Sequence, residues 1–105
     1  MPYFALFYQE LADGYLEKRA AHREEHLRLA RESYDRGELI FGGALADPVD
    51  GALLVFQAGS ASVVEEFVKR DPYVRSGLIK RWSIRPWTVV VGNGPHPRAA
   101  QPAAS

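Results

Sequence analysis

ELIFGGAL, from Glu38 to Leu45, is followed by the turn residues Asp47-Pro48-Val49-Asp50-Gly51 and then by ALLVFQ, from Ala52 to Gln57. Two short apolar runs separated by Asp, Pro and Gly predict a β-hairpin. The second run is apolar at odd and even positions alike, which is the pattern of a strand covered on both faces. In the first, the Gly42-Gly43 pair marks a bulge or a place where another group approaches the backbone closely.

Working outward, YFALFY (Tyr3 to Tyr8) is a second strand with apolar residues on both faces. From about Leu16 to Arg36 the chain is rich in Glu, Arg, Leu and Ala, and Gly37 follows as a C′ cap, so one long helix is predicted. After the hairpin, Gly59 and Ser60 precede a second helix in which Ser62 and Glu65 are placed for a capping box. That helix must stop near Arg70, because the residue before Pro72 is pushed out of the helical region. Leu78 to Val91 is the last extended stretch, with Trp82, Ile84 and Pro86 on one side; the proline predicts an edge strand. The Pro/Gly/Ala-rich residues 93–105 are expected to be a disordered tail after a domain over residues 1–92.

The order β-α-β-β-α-β predicts an α+β fold, the ferredoxin-like plait, with both helices on one face of a four-stranded antiparallel sheet. Two helices cover one face only, yet two strands are apolar on both. The other face is therefore expected to be buried by a second sheet, in a homodimer. The length agrees, since a chain of 105 residues builds a modest core to which a partner subunit adds.

Composition narrows the function. Thirteen basic residues balance thirteen acidic ones, so the footprint of a nucleic-acid or membrane-surface binder is missing, and a small-molecule ligand is the expected partner. No cysteine is present, which removes thiolate nucleophiles and cysteine metal sites and fits a cytoplasmic protein. Met1 to Gln9 lacks the basic region and cleavage site of a signal peptide, and no apolar run approaches a membrane span. Phosphate loops, dinucleotide fingerprints and nucleophile elbows are absent from the sequence.

On a helical wheel, Leu16, Ala20, Leu27, Ala30 and Tyr34 form a stripe whose missing member is Arg23. An arginine there takes an anionic or carbonyl partner or runs its stem out to water. His26 lies roughly 85° from the stripe centre and His22 roughly 125° away, so His26 is the better placed of the two. Their i, i+4 spacing can hold zinc, but the intervening residues are Arg-Glu-Glu and no third ligand is apparent, so no metal is expected. Asp71, before Pro72, has two readings: the N-cap of a short following turn, or a carboxylate that orients a histidine.

Arg23-Glu24-Glu25-His26-Leu27, then Gly37, Leu39 and Gly42-Gly43, resembles the R-x-x-H-L…G-x-L…G segment of the YciI-like (YCII-related) family. Asp50-Gly51, Phe67, Asp71-Pro72-Tyr73-Val74, Gly77-Leu78 and Ile84-Arg85-Pro86-Trp87 continue the pattern, so the resemblance covers about residues 1–91. It implies a dimeric ferredoxin-like α/β barrel, a pocket between helices and sheet, and a His-Asp active site, carried here by His26 and Asp71 with Arg23 beside them. One branch of the family resembles a dehydrochlorinase of chlorinated hydroxyquinols. This chain departs from the pattern in having Gly43-Ala44 where Gly-Pro is common, and His22 matches nothing in it.

The reading that follows is a cofactor-free enzyme performing proton transfer or elimination on a small cyclic or aromatic compound. His26 would be the acid/base, Asp71 its orienting partner, and Arg23, Gly42 and Tyr73 the substrate-binding residues. The alternative is a non-catalytic dimeric module that binds a small ligand, in which His26 and Asp71 only fix helix ends. Kinship to cofactor-free monooxygenases would rest on fold analogy alone.

Overall fold

A computed structural model describes residues 1–92, and the expected tail, 93–105, lies outside the described residues. The elements are β1 (Tyr3–Leu11), α1 (Tyr15–Lys18), a 3₁₀ turn (Arg19–Ala21), α2 (Arg23–Asp35), β2 (Leu39–Ala44), β3 (Ala52–Gln57), α3 (Ala61–Arg70), α4 (Pro72–Arg75) and β4 (Ile79–Trp87). The four strands form one antiparallel sheet in the order β2-β3-β1-β4, compatible with the ferredoxin-like plait. β4 is an edge strand, as Pro86 predicts.

Register explains the layers. Phe4, Leu6 and Tyr8 of β1 stand opposite Phe56, Leu54 and Ala52 of β3 and opposite Pro86, Ile84 and Trp82 of β4. With a side-chain period of two, these residues share the helix-facing side. Val64, Phe67 and Val68 of α3, spaced three and four apart, close over that side, and Phe67 meets Phe56 edge to face at 5.2 Å. Fully burying side chains of this size contributes roughly 1.5–3 kcal/mol each. The alternate residues Tyr3, Phe7 and Leu53 point to the other face, where Phe41 and Trp87 are exposed.

The helix termini follow their sequence signals with one exception. Gly37, at φ 83°, ends α2 in a Schellman motif: its N–H bonds to the Tyr34 carbonyl at 2.9 Å and the Glu38 N–H to that of Ser33 at 3.0 Å. Gly77, also at φ 83°, closes α4 in the same way. The capping box predicted from Ser62 and Glu65 does not form, because α3 starts two residues earlier, with Ser60 at its N-cap and the Ser60 and Ser62 hydroxyls bonded to each other at 2.6 Å.

Three other expectations are corrected. The long first helix is broken by the 3₁₀ turn, and His22 restarts it as the N-cap of α2. The irregularity in β2 falls between Leu39 and Phe41, so of the two readings of the Gly42-Gly43 pair the bulge is the one overturned. The last strand ends at Trp87, four residues short of Val91.

The inward face of the first helical segment is also turned by about a quarter of a circle from the predicted stripe. Leu16, Leu27 and Tyr34 are exposed at 52%, 41% and 55%, whereas Tyr15 and Ser33 are buried and His26, Leu29 and Ala30 partly so. No helix among the described residues is long and apolar enough to cross a membrane.

Candidate active site

Asp71 is the residue on which the site is built. It ends α3, caps α4 and is completely buried, at 0% exposure. A buried carboxylate must find donors within the protein, and Asp71 has three. The Tyr8 hydroxyl donates to Oδ2 at 2.5 Å, and the Tyr73 backbone N–H donates to Oδ1 at 3.0 Å. His26 Nδ1 lies 2.8 Å from the same Oδ1. The two sequence readings of Asp71 therefore hold together: it is a helix cap and a histidine partner.

An ionised carboxylate can only accept, and a neutral imidazole that faces one through Nδ1 carries its proton there and leaves Nε2 free. Two further contacts fix that ring. It stacks on Tyr73 with centroids 3.9 Å apart and planes 7° from parallel, and Tyr73 meets Tyr15 edge to face at 5.9 Å. The His26 side chain is 15% exposed, enough for a small molecule to reach one edge.

That edge lines a cleft of about 320 Å³ between α2 and the sheet, a volume suited to a compound of one or two rings. The cleft exists because small residues face it. Gly42, opposite Leu54 in the ladder, stands on the helix-facing side, and Ala30, Ala44 and Ala52 add little bulk. A methyl group at Gly42 would meet Leu54 and Leu39 at ordinary distances of 3.5–3.7 Å, so the missing side chain serves the cleft and not the packing.

Of the residues read from the sequence, His26, Arg23, Gly42 and Tyr73 line the cleft, and Asp71 lies directly behind His26. Arg23 is exposed on the cleft wall, not turned into the core. His22 is not part of the lining, and no three His, Cys, Asp or Glu side chains converge as a metal would require among the described residues.

Sequence reasoning missed Tyr8, Tyr15 and Arg19, all of which line the cleft. A signal existed for each. Tyr8 ends the Phe4-Leu6-Tyr8 alternation with a hydroxyl on the helix side, and Tyr15, Arg19 and Arg23 follow one another at four-residue spacing.

Electrostatics separates the tyrosines. Burial pushes the Tyr8 hydroxyl far above the ordinary tyrosine range, and the negative charge of Asp71 with its hydrogen bond pushes it further, so Tyr8 stays a donor. Tyr73 is raised too, by burial and then by Tyr15, while the Arg23 and Arg19 guanidiniums pull the other way. Arg23 approaches the Tyr73 hydroxyl without a well-formed hydrogen bond, and that buried oxygen has no partner.

The fold and this arrangement define a class: a four-stranded α+β domain with a histidine, held by a buried aspartate, at the edge of a small cleft. The YCII-related domain matches residues 1–88, and the chain belongs to that family. Protein YciI of Escherichia coli O6:H1 and Protein YciI of Shigella flexneri are each 27% identical over 96 residues, covering 83% of this chain and 97% of theirs. Among solved structures, 5-chloro-2-hydroxyhydroquinone dehydrochlorinase from Burkholderia phenoliruptrix AC1100, in complex with 2,5-dihydroxybenzoquinone, is similar with a TM-score of 0.68. It is 21% identical, with 82% of this chain and 93% of that one covered, a likeness of fold.

Proposed function

We propose that the protein is an enzyme of general acid/base chemistry that transfers a proton on, or eliminates a group from, a small cyclic or aromatic compound. The observation that carries this reading is the His26–Asp71 contact of 2.8 Å at the edge of the cleft. His26 Nε2 takes a proton from the substrate, and Asp71 stabilises the imidazolium that results. The electron pair left behind forms an enolate or expels a leaving group as an anion. Arg23 holds the oxygen on which charge develops, and Tyr73 and Gly42 bound the ring. In the elimination, substrate loses one proton to His26 and one anion to solvent, and His26 then releases the proton, so the enzyme returns unchanged. These steps need no cofactor.

The fold shared with a dehydrochlorinase supports 5-chloro-2-hydroxyhydroquinone and related hydroxyquinols as first substrates to try. Chloride release and exchange of ring protons with deuterium from solvent are the readouts. His26→Gln should lower kcat at least about 100-fold and Asp71→Asn by a similar factor, with KM changed little. Wild-type protein that binds such compounds but neither releases chloride nor exchanges a proton would instead be a small-ligand-binding module.

The same reading makes the molecule a homodimer in the form of an α/β barrel, joined through the outer sheet face. Support comes from the apolar groove of about 530 Å³ on that face, whose walls include Tyr3, Phe41, Leu53, Val55 and Trp87. An exposed apolar surface of this kind on a small domain calls for a cover.

A further inference from the structure

Tyr8 ends the row Phe4-Leu6-Tyr8 that β1 turns toward the helices, and a phenylalanine there would continue the row without a polar atom. Core packing alone gives no reason for the hydroxyl. On a residue only 2% exposed it must find a partner, and it finds Asp71. Of the two carboxylate oxygens, Oδ1 is shared by His26 Nδ1 at 2.8 Å and the Tyr73 backbone N–H at 3.0 Å. Among the described residues, Oδ2 is held by the Tyr8 hydroxyl alone, at 2.5 Å. The terminal torsion of an aspartate is broad, so donors on one oxygen set the carboxylate plane loosely and a donor on the other fixes it.

The strand is built to aim that hydroxyl. β1 is an interior strand in which Tyr8 pairs with Ala52 on one side and Trp82 on the other, and its register with β4 slips directly after Tyr8. Irregularities of this kind twist a strand locally, re-aim side chains and are over-represented beside active sites. On the β3 side, Gly51 approaches the Tyr8 carbonyl so closely that an added Cβ would lie 2.6 Å from the oxygen.

We propose that Tyr8 is a positioning residue for the reaction: by holding Oδ2 it fixes the plane in which Asp71 meets His26 and disperses the carboxylate charge, and so sets the pH at which the pair gives up its proton. The proposal rests on the reading of His26 and Asp71 as the acid/base pair. A donor on an anion favours the charged form. Without Tyr8 the pair therefore keeps its proton to higher pH, whichever partner carries it. Tyr8 itself stays a donor throughout, since burial and then Asp71 hold its hydroxyl far above the ordinary tyrosine range. The other ionisable groups facing the pair are Tyr15 of α1, Arg19 of the 3₁₀ turn, Arg23 of α2 and Tyr73 of α4, while β2 and β3 line the cleft with apolar side chains and glycine. On α2, α3, α4 and β4, Glu25, Lys69, Arg70, Arg75, Lys80 and Arg81 are exposed. All of these remain when Tyr8 is changed and cancel in the comparison.

The test is a pH titration of the histidine ring resonances of the full chain in wild type and Tyr8→Phe, with His22, which does not line the cleft, as the internal control. The His26 midpoint should move to higher pH by at least about half a unit in Tyr8→Phe, with His22 unmoved. A hydroxyl that only filled a packing role would leave that midpoint in place. 3-Fluorotyrosine placed at position 8, of nearly the same size but a stronger donor, should move the His26 midpoint to lower pH, and this arm decides alone where Tyr8→Phe does not fold. A smaller shift in a folded Tyr8→Phe, a shift to lower pH there, or an unmoved midpoint with 3-fluorotyrosine would overturn the proposal. With 5-chloro-2-hydroxyhydroquinone as probe, kcat for chloride release by Tyr8→Phe should fall severalfold near neutral pH and recover in part as pH rises, with KM changed little. Midpoints that move as stated in a protein whose wild type neither releases chloride nor exchanges a proton would remove the catalytic reading and leave the Tyr8–Asp71–His26 link standing.

Discussion

Asp71 shows how one side chain can cap a helix and hold a histidine at once. Its carboxylate is buried, and three donors converge on it from β1, α2 and its own cap. Asp71→Ala should therefore destabilise the fold by about 3 kcal/mol, since it strands a tyrosine hydroxyl, an imidazole N–H and a backbone N–H. Urea unfolding at neutral pH measures this. Tyr8 gives a second test. Because the folded state holds its proton well above the ordinary value, the unfolded chain loses that proton first as pH rises through about 10. Stability is fully present below that pH and falls above it by up to about 1.4 kcal/mol per unit for this group. Tyr8→Phe lacks the contribution, so between pH 9 and 11 its unfolding free energy should fall by less than that of wild type. Parallel curves would show that Tyr8 is not held in this way.

At the scale of elements, glycine positions offer a contrast that packing predicts. A Cβ at Gly51 would sit 2.6 Å from the Tyr8 carbonyl oxygen, a backbone atom that cannot swing aside, whereas one at Gly43 would meet nothing within 4 Å. Gly51→Ala should cost about 1–3 kcal/mol and disturb the end of β1 that carries Tyr8, while Gly43→Ala should be near neutral. Melting temperatures of the two variants check this. The strands and their order were legible because ALLVFQ and YFALFY are strongly apolar and the turn residues between them punctuate clearly. The helix face was not. Its inward positions include His26 and Ser33, which hydropathy scores as polar, while Leu16, Leu27 and Tyr34 remain exposed. For the same reason Arg23 was read as an intruder on an apolar stripe, although it stands on the wall of a cleft. His26 was singled out on the helical wheel, and the family pattern joined it to Asp71 as a pair. Composition and periodicity alone left the aspartate undecided between cap and partner, and in the fold it is both.

At the scale of the whole molecule, the sheet has one face under the helices and one bearing Tyr3, Phe7, Leu53, Phe41 and Trp87. A second copy laid on this outer face would cover both aromatic edges at once. The contact should exceed the roughly 1,000 Å² of a biological interface. Light scattering at micromolar concentration should give twice the chain mass of 11.7 kDa. Leu53→Arg should reduce it to the monomer value, because the added guanidinium would be desolvated among apolar side chains and beside the like charge of Arg85, which lines the same groove. A monomeric wild type would contradict the dimer, and the cleft on the opposite face would then have to function alone.

The account turns on His26 presenting an unprotonated Nε2 to the cleft because Asp71 holds the proton on Nδ1. Two-bond ¹H–¹⁵N correlation spectra of the histidine rings report this directly, with His26→Gln giving the assignment. At a pH where the ring is neutral, the account predicts a protonated Nδ1 and a bare Nε2 for His26 in wild type, and loss of that preference in Asp71→Asn. A proton found on Nε2 in the wild type, or a tautomer unchanged by Asp71→Asn, would contradict it.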